Sequence, residues 1–273
     1  METTQYVHGY SDREASRLND QANTLDAIIH SDTLFPAGSF VLEAGCGVGA
    51  QTKLVAPMNP DSTFLSVDVS ADSLREAGQL IRALNIPNVQ FQQADIYNLP
   101  FADETFDHVL VCFVLEHLAE PVRALTELKQ VLKPAGTVMV IEGDHGSTFF
   151  YPDSPDARKA IDCQVRLQRR NGGNANIGRE LYPLLTSAGF ADVSVSPRMV
   201  YVDASKPRLI EGFIKNTFTA MIAGIGETAI EQELTDRPTF AKGINDLYRT
   251  TEPDGVFSYT FFKGFSTKFI YNL

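Results

Sequence analysis

The sequence predicts an α/β fold with a mostly parallel central sheet, and three observations carry that prediction. Short apolar runs that read as buried strands alternate with longer stretches that keep a helical stripe. The first run, Phe40-Val41-Leu42, opens through Glu43-Ala44 onto Gly45-Cys46-Gly47-Val48-Gly49, three glycines at spacing two. The second, Thr63 to Val67, ends on Asp68, 23 positions after Gly45. Glycines after a strand let the main chain turn sharply and approach a ligand, while the N–H groups of the coming helix face it. An acid at the carboxyl end of the next parallel strand lies across the crevice, where it can accept hydrogen bonds from both hydroxyls of a ribose.

At 273 residues the chain can bury one large core, and an α/β domain with an insertion fits better than two equal domains. The net charge of −11 opposes sequence-independent binding to polyanions, so neither nucleic acid nor an anionic membrane is an expected partner. No apolar stretch is long enough to span a bilayer, and Met1-Glu2-Thr3-Thr4 lacks a basic, apolar leader, so a cytoplasmic protein is expected. Cys46, Cys112 and Cys163 are odd in number and lack C-x-x-C spacing. They read as buried free thiols, and no metal site is expected.

Each element follows from local signals. Ser11-Asp12-Arg13-Glu14 is a capping box, and Ala15, Leu18, Ala22, Leu25, Ile28 and Ile29 continue a helix of about 18 residues behind it. Pro36-Ala37-Gly38 breaks the chain before the first strand. Thr52 to Ala56 gives a short helix stopped by Pro57. Ser70 caps a helix whose Leu74, Ala77, Ile81 and Leu84 face the sheet, and Val89 to Gln93 is the third strand. His108 to Phe113 is continuously apolar after its first residue, as expected where helices cover both faces. Pro121 starts the next helix, and Lys133-Pro134-Ala135-Gly136 turns it into a fifth strand, Thr137 to Glu142. A helix follows Ser154-Pro155, carrying Arg158, Lys159, Arg166, Arg169 and Arg170; it reads as a solvated face, with attraction of an anionic substrate as the other use. The helix Gly178 to Ser187 and the strands Asp192 to Val202 and Val256 to Phe269 complete the core. Between those two strands, Ile210, Phe213, Ile214, Phe218 and Ile222 recur at helical spacing in an insertion.

The glycine stretch superficially matches the dinucleotide fingerprint, but that pattern spaces its last two glycines three apart and reads a pyrophosphate. Here Glu43 stands two positions before the first glycine, a place better suited to a cation than to a diphosphate. The stretch resembles the E/D-x-G-x-G-x-G signature of class I S-adenosylmethionine-dependent methyltransferases. Asn98-Leu99-Pro100-Phe101-Ala102-Asp103-Glu104-Thr105-Phe106-Asp107 resembles the family's connection into its fourth strand, Leu115-Glu116-His117-Leu118 resembles the turn of its small-molecule members, and Leu132-Lys133-Pro134 with Gly136 is similar again. The Asn/Asp-Pro-Pro-Tyr turn of members acting on DNA is missing from that point, which weighs against a flipped base.

The resemblance implies a Rossmann-like, mostly parallel seven-stranded sheet with an antiparallel last strand. It also implies S-adenosyl-L-methionine as cofactor and a small-molecule methyl acceptor. By the same resemblance Glu43, Gly45, Gly47 and Gly49 organise the methionine end, Asp68 takes the ribose, Val69 packs on adenine, and Ala94, Asp95 and Ile96 meet the adenine amino group. Cys112 joins this cofactor set, as does Tyr10 and, less securely, Tyr6, from a lid formed by the N-terminal helix. The implied organisation is a helical lid over 1–36, a core over 37–203 plus 254–273 with a lid-like segment at about 144–176, and a helical insertion over 204–253. That insertion could roof the site or form a homodimer surface. An in-line methyl transfer rests chiefly on holding donor and acceptor aligned and dry, and only an acceptor needing deprotonation requires a base. His117 and His145 each follow the carboxyl end of a predicted parallel strand and are the candidates, with Glu116 a further possibility. The competing classes are an NAD-dependent oxidoreductase, disfavoured by the glycine spacing and Glu43, and a non-catalytic S-adenosylmethionine-binding module.

Overall fold

The computed structural model describes residues 12–269, with side chains from Arg17 onward. Tyr6 and Tyr10, and the capping Ser11, lie outside the described residues. The first half of the chain comprises α1 (Asp12–Ile29), β1 (Phe40–Ala44), α2 (Thr52–Met58), β2 (Thr63–Asp68), α3 (Ala71–Ala83), β3 (Val89–Gln93), β4 (Phe106–Cys112) and α4 (Pro121–Val131). The second comprises β5 (Leu132–Tyr151), α5 (Pro155–Arg170), α6 (Leu181–Ser187), β6 (Ala191–Val202), α7 (Pro207–Leu209), α8 (Ala220–Gly224), α9 (Gly226–Glu231), α10 (Arg237–Arg249) and β7 (Val256–Thr267). A π-helical run, Ile210–Thr219, joins α7 to α8, and a 3-10 turn occupies Leu115–His117.

The described residues form one seven-stranded sheet in the order β3-β2-β1-β4-β5-β7-β6, with β7 antiparallel to both neighbours. The α/β sheet implied by the sequence is therefore present. Adjacent residues of the central strands enter opposite cores, as the pleat requires: Val41 and Leu110 join the cluster under α1 and the insertion, while Leu42 and Val111 join the one under α4. In α4 the buried face is Ala124, Leu125, Leu128 and Val131. Each fully buried leucine there contributes about 1.5–3 kcal/mol.

The structure departs from the sequence reading at Leu84, expected to face the sheet but 50 % exposed just past the end of α3. It departs also at the helix expected from Gly178, whose first turn, Ile177–Glu180, is 3-10, and in four further places. α2 runs through Pro57 to Met58, because a proline so near the end disrupts little of the ladder. β5, expected to stop at Glu142, continues to Tyr151, since β7 supplies antiparallel partners such as Ser258 for Phe149 and Val256 for Tyr151. The polar run between Asp144 and Phe149, where the register shifts, hides that extension from any periodicity. The stretch 144–176, expected to be lid-like, therefore begins as strand and continues in α5, whose Ala157, Ala160, Ile161, Cys163 and Leu167 are core residues. Finally, the insertion's central helix is π rather than α. With i→i+5 hydrogen bonding, residues five apart stand over one another, so Phe213 and Phe218 share a face that a 3.6-residue turn would separate. Their ring centroids lie 6.4 Å apart. The basic residues of α5 are a charged surface: Arg158 pairs with Asp153, and Arg170 donates to Gln232.

Candidate active site

The carboxyl ends of β1 and β2 meet at the glycine loop. Gly45, Gly47 and Gly49 have φ of +77°, +52° and +79°, a region closed to most side chains. A Cβ on Gly45 would lie 2.5 Å from Val114 Cγ2, whereas one on Gly47 would meet nothing within 4 Å. The loop is thus pressed against the turn after β4 at one glycine and open at the next. Its direction is set by two N–H groups, Gly45 and Cys46, which both donate to the Val67 carbonyl at 2.8 and 2.9 Å.

Asp68 ends β2 with its carboxylate turned to this loop. Oδ2 accepts from the Gly47 N–H at 2.8 Å, and Oδ1 accepts from Ser70 N at 2.9 Å. Each oxygen keeps a further lone pair for a ligand hydroxyl. Beside it Val69 is 61 % exposed, an apolar side chain left uncovered at the strand end. The β3 terminus comes alongside, with Ala94 N donating to Asp68 O at 3.1 Å and Gln93 Nε2 to Val69 O at 2.8 Å. Asp95 turns its own loop by accepting from Tyr97 N at 2.9 Å, and Ile96 is half-buried next to it. Eight of the expected cofactor positions, from Gly45 to Ile96, therefore line one edge of the sheet.

Glu43 is placed differently. It is buried, and its Oε2 accepts from Ser66 Oγ at 2.5 Å and Thr52 Oγ1 at 2.8 Å. Burial pushes its carboxyl up against the pull of those two hydroxyls. It ties β1 to β2 and to the first residue of α2, so it shapes the loop from beneath. Cys112 closes β4 as a fully buried thiol, pushed well above its ordinary value by burial and by the carboxyls of Glu43 and Glu142. Among the described residues no group of three His, Cys, Asp or Glu could hold a metal ion.

Beyond β4 the chain enters a turn that the sequence reading did not explain. Phe113 takes φ +60°, and the following Val114 and Leu115 N–H groups both donate to Glu142 Oε1, at 3.0 and 2.7 Å. Glu142 is fully buried, and its carboxyl is pushed well above the ordinary range by burial and by Glu116 nearby. It is the acid in the middle of β5, directly after the apolar run Val138–Ile141, that fixes the turn after β4, as Asp68 at the end of β2 fixes the glycine loop. The shared signal is a carboxylate directly after an apolar run.

An aromatic pocket opens at this end of the sheet. Phe113, Tyr259 and Phe261 come from the strands and their connections, Phe213 and Phe218 from the π-helical run, and Met221 from α8. Arg17, Leu18 and Gln21 of α1 close one side, and Glu116, His117 and His145 supply the remaining polar groups. The insertion thus contributes side chains to the pocket. Gly212 lets it do so, because a Cβ there would collide with Thr24 of α1. His117 is half-buried, 3.7 Å from Glu116 Oε1, whose Oε2 accepts from Gln168 Nε2 at 3.0 Å. His145 is buried, with Nδ1 3.0 Å from Ala175 O and 3.1 Å from Tyr259 Oη. Next to it Asp144 binds Arg179 through two bonds of 2.9 and 2.7 Å, a residue that no local motif singled out.

Residues 42–140 match the family model described as a methyltransferase domain, a span that holds the glycine loop, Asp68 and the β4 turn. That span is a methyltransferase domain by this match, and the chain has the fold of the class I S-adenosylmethionine-dependent methyltransferases. A 37.1 kDa protein of a Streptomyces fradiae transposon is 32 % identical over 219 residues, covering 77 % of this chain and 62 % of that one. The ubiquinone/menaquinone biosynthesis C-methyltransferase UbiE of Hahella chejuensis is 33 % identical over 128 residues, covering 46 % of this chain and 49 % of its own. The chain thus spans 62 % and 49 % of the lengths of these two relatives, less than two thirds of either. Among solved structures, the [4+2]-cyclase SpnF superposes with a TM-score of 0.55 at 21 % identity, over 92 % of this chain and 82 % of that one. That likeness is one of fold. Among the described residues no helix is long and apolar enough to cross a membrane.

Proposed function

We propose that this protein transfers the sulfur-bound methyl group of S-adenosylmethionine to a small-molecule acceptor held in the aromatic pocket. The observation that carries this reading is the contact between Gly45 and Val114, which abuts the cofactor loop on the turn whose preceding residue, Phe113, lines the pocket. The residues fit the cofactor: an open glycine cradle at Gly47, a carboxylate opposite it at Asp68, and an uncovered apolar side chain at Val69. When bound, the cofactor supplies an activated methyl group on positively charged sulfur. The chain has then to bind, align and exclude water, which proximity alone can turn into several kcal/mol of barrier. The walls suit that task, since Phe213, Phe218, Tyr259 and Phe261 form a continuous aromatic lining with Tyr259 and Phe261 centroids 4.7 Å apart.

Calorimetry with S-adenosylmethionine, followed by transfer of a radiolabelled methyl group to a metabolite extract, tests the reading. Binding with label in a small-molecule product is the expected result. Binding without transfer would leave a cofactor-binding protein of other chemistry, and tight NADH binding in its place would remove the assignment. Asp68→Ala is expected to weaken S-adenosylmethionine binding at least about 10-fold, equivalent to about 1.4 kcal/mol.

A further inference from the structure

We propose that His145 is the general base of this site and that the acceptor presents an acidic hydroxyl, phenolic or enolic, on a flat apolar ring. The inference rests on the methyl-transfer reading above and adds to it the class of acceptor.

The argument begins with the imidazole's two nitrogens. The Ala175 carbonyl can only accept, so Nδ1, 3.0 Å away, must carry the proton. The same carbonyl accepts from the His145 main-chain N–H at 3.0 Å, which fixes the residue at both ends of that contact. The neutral ring then has its lone pair on Nε2. That atom is buried and has no hydrogen-bond partner among the described residues. A buried polar atom left unpaired costs about 1–3 kcal/mol, a penalty that a bound ligand would relieve. His145 lines the pocket, and with the Nδ1 edge taken by Ala175 and Tyr259, the Nε2 edge is what remains for a bound molecule. Phe218 lies 5.9 Å from the imidazole, centroid to centroid, so the base is flanked by an apolar wall.

The charged and titratable groups that act on this ring are Glu116, Asp144 and Arg17, with Tyr259 in contact. Burial is the largest influence and favours the neutral ring; Glu116 and Asp144 oppose it and Arg17 supports it. Asp144 is already neutralised by Arg179. Tyr259 keeps its own proton, since burial and the Glu116 charge push its phenol well above the ordinary value.

The acceptor class follows from matching acid to base. A neutral imidazole is a weak base, so proton transfer to it becomes harder as the donor becomes less acidic, which favours phenols and enols over alkyl alcohols. In the step itself, the acceptor O–H bond breaks and its proton passes to His145 Nε2. The oxygen pair forms the new O–CH3 bond, and the electrons of the breaking S–CH3 bond leave with sulfur. A sulfonium and a neutral imidazole become a thioether and an imidazolium, so charge and atoms balance.

Two measurements test this. The first needs no turnover: long-range 1H–15N correlation spectra of the 15N-histidine-labelled protein, with His145 assigned by comparison with His145→Gln, read its tautomer at neutral pH. The proton on Nδ1 and a bare Nε2 are expected, and the opposite tautomer overturns the proposal. The second compares 2-naphthol with 2-naphthylamine as methyl acceptors. 2-Naphthol should be methylated, and His145→Gln should lower its kcat about 100-fold while KM and calorimetric S-adenosylmethionine affinity stay within about threefold. The loss should shrink below about 10-fold for 4-nitrophenol, which arrives already ionised. Methylation of the amine alone, of neither probe, or undiminished turnover by His145→Gln overturns the acceptor class or the base. Failure of the wild type to bind S-adenosylmethionine instead defeats the earlier reading and leaves the tautomer result standing.

Discussion

The two halves of the site are built in opposite ways. The cofactor side, around β1, β2 and β3, consists of main chain and strand ends drawn from one continuous stretch of 54 residues, 43–96, so its parts find one another through short loops and parallel pairing. The acceptor side gathers Leu18, Phe113, His145, Phe218 and Tyr259 from α1, the β4 turn, β5, the insertion and β7. One half is specified by spacing and the other by tertiary packing, which is why spacing names a cofactor and says nothing of an acceptor. Substitutions that damage one half should therefore leave the other measurable.

Glu142 stands at the junction, and its loss should have the largest effect. Glu142→Ala strips the partner from two main-chain N–H groups of the β4 turn, at about 1–3 kcal/mol each, so a stability loss of about 2–6 kcal/mol is expected by chemical denaturation. Both cofactor binding and any acceptor turnover should fall with it. Glu142→Gln keeps the accepting oxygen and, because the buried carboxyl already favours its neutral form, should stay within about 1 kcal/mol of the parent. Equal damage by the two would show that charge, not hydrogen bonding, holds the turn.

Gly45→Ala separates the halves from the cofactor side. The added carbon meets Val114 at 2.5 Å in a left-handed backbone, a strain of about 1–3 kcal/mol. S-adenosylmethionine affinity should drop about 10- to 100-fold by calorimetry. Phe218→Leu separates them from the other side. It removes edge-to-face packing on Phe257 and Tyr259, with centroids at 4.9 and 5.6 Å, each pair contributing about 0.5–1.5 kcal/mol. S-adenosylmethionine affinity should stay within about twofold while acceptor KM rises by about 3- to 10-fold. A matching loss of cofactor affinity would mean that the halves are one mechanical unit.

What the sequence made legible divides along the same line. The alternation of strands and helices, the glycine loop and Asp68 stand where the residues place them, because each depends on neighbours within a few turns of chain, whereas the antiparallel last strand, which pairs with β5 and β6, was expected from the family resemblance alone. Glu43 was legible as a loop-organising acid, yet its partners Ser66 and Thr52 were not, since neither follows from spacing. The extension of β5 to Tyr151 depends on β7, more than a hundred residues later, and the π-helical run depends on how Gly212 meets α1. Phe213 and Phe218 read as an ordinary apolar stripe because the intervals through Ile210, Ile214 and Ile222 are three and four residues, which fit an α-helix and carry no sign of i→i+5 bonding. His145 was visible only as a histidine after a strand; its tautomer comes from the Ala175 carbonyl, 30 residues away.

The smallest expected effect uses one buried histidine from each half. His30, on the cofactor side, is held on both nitrogens, 3.0 Å from Thr33 Oγ1 and 2.8 Å from Gln51 Oε1; His145 is held on one. Burial is the main reason that both sit below the ordinary value of 6.5. Below that value the unfolded chain takes up protons that the folded chain refuses, so this stability is complete above about pH 6.5 and is lost as pH falls toward the folded values. Asp32 and Asp107 act lower down. Burial works against their ionisation, but Lys263 and Arg198 on the first, and Lys133 and the Phe40 N–H on the second, hold them below 3.8. A melting temperature that declines between pH 7 and 5.5 therefore reports the histidines, at about 2–4 °C for each kcal/mol. His30→Gln and His145→Gln should each flatten part of that decline. Ligand binding distinguishes them, since an acceptor bonded to Nε2 should shift the acid response of His145 and leave that of His30, whose nitrogens are already engaged, where it was.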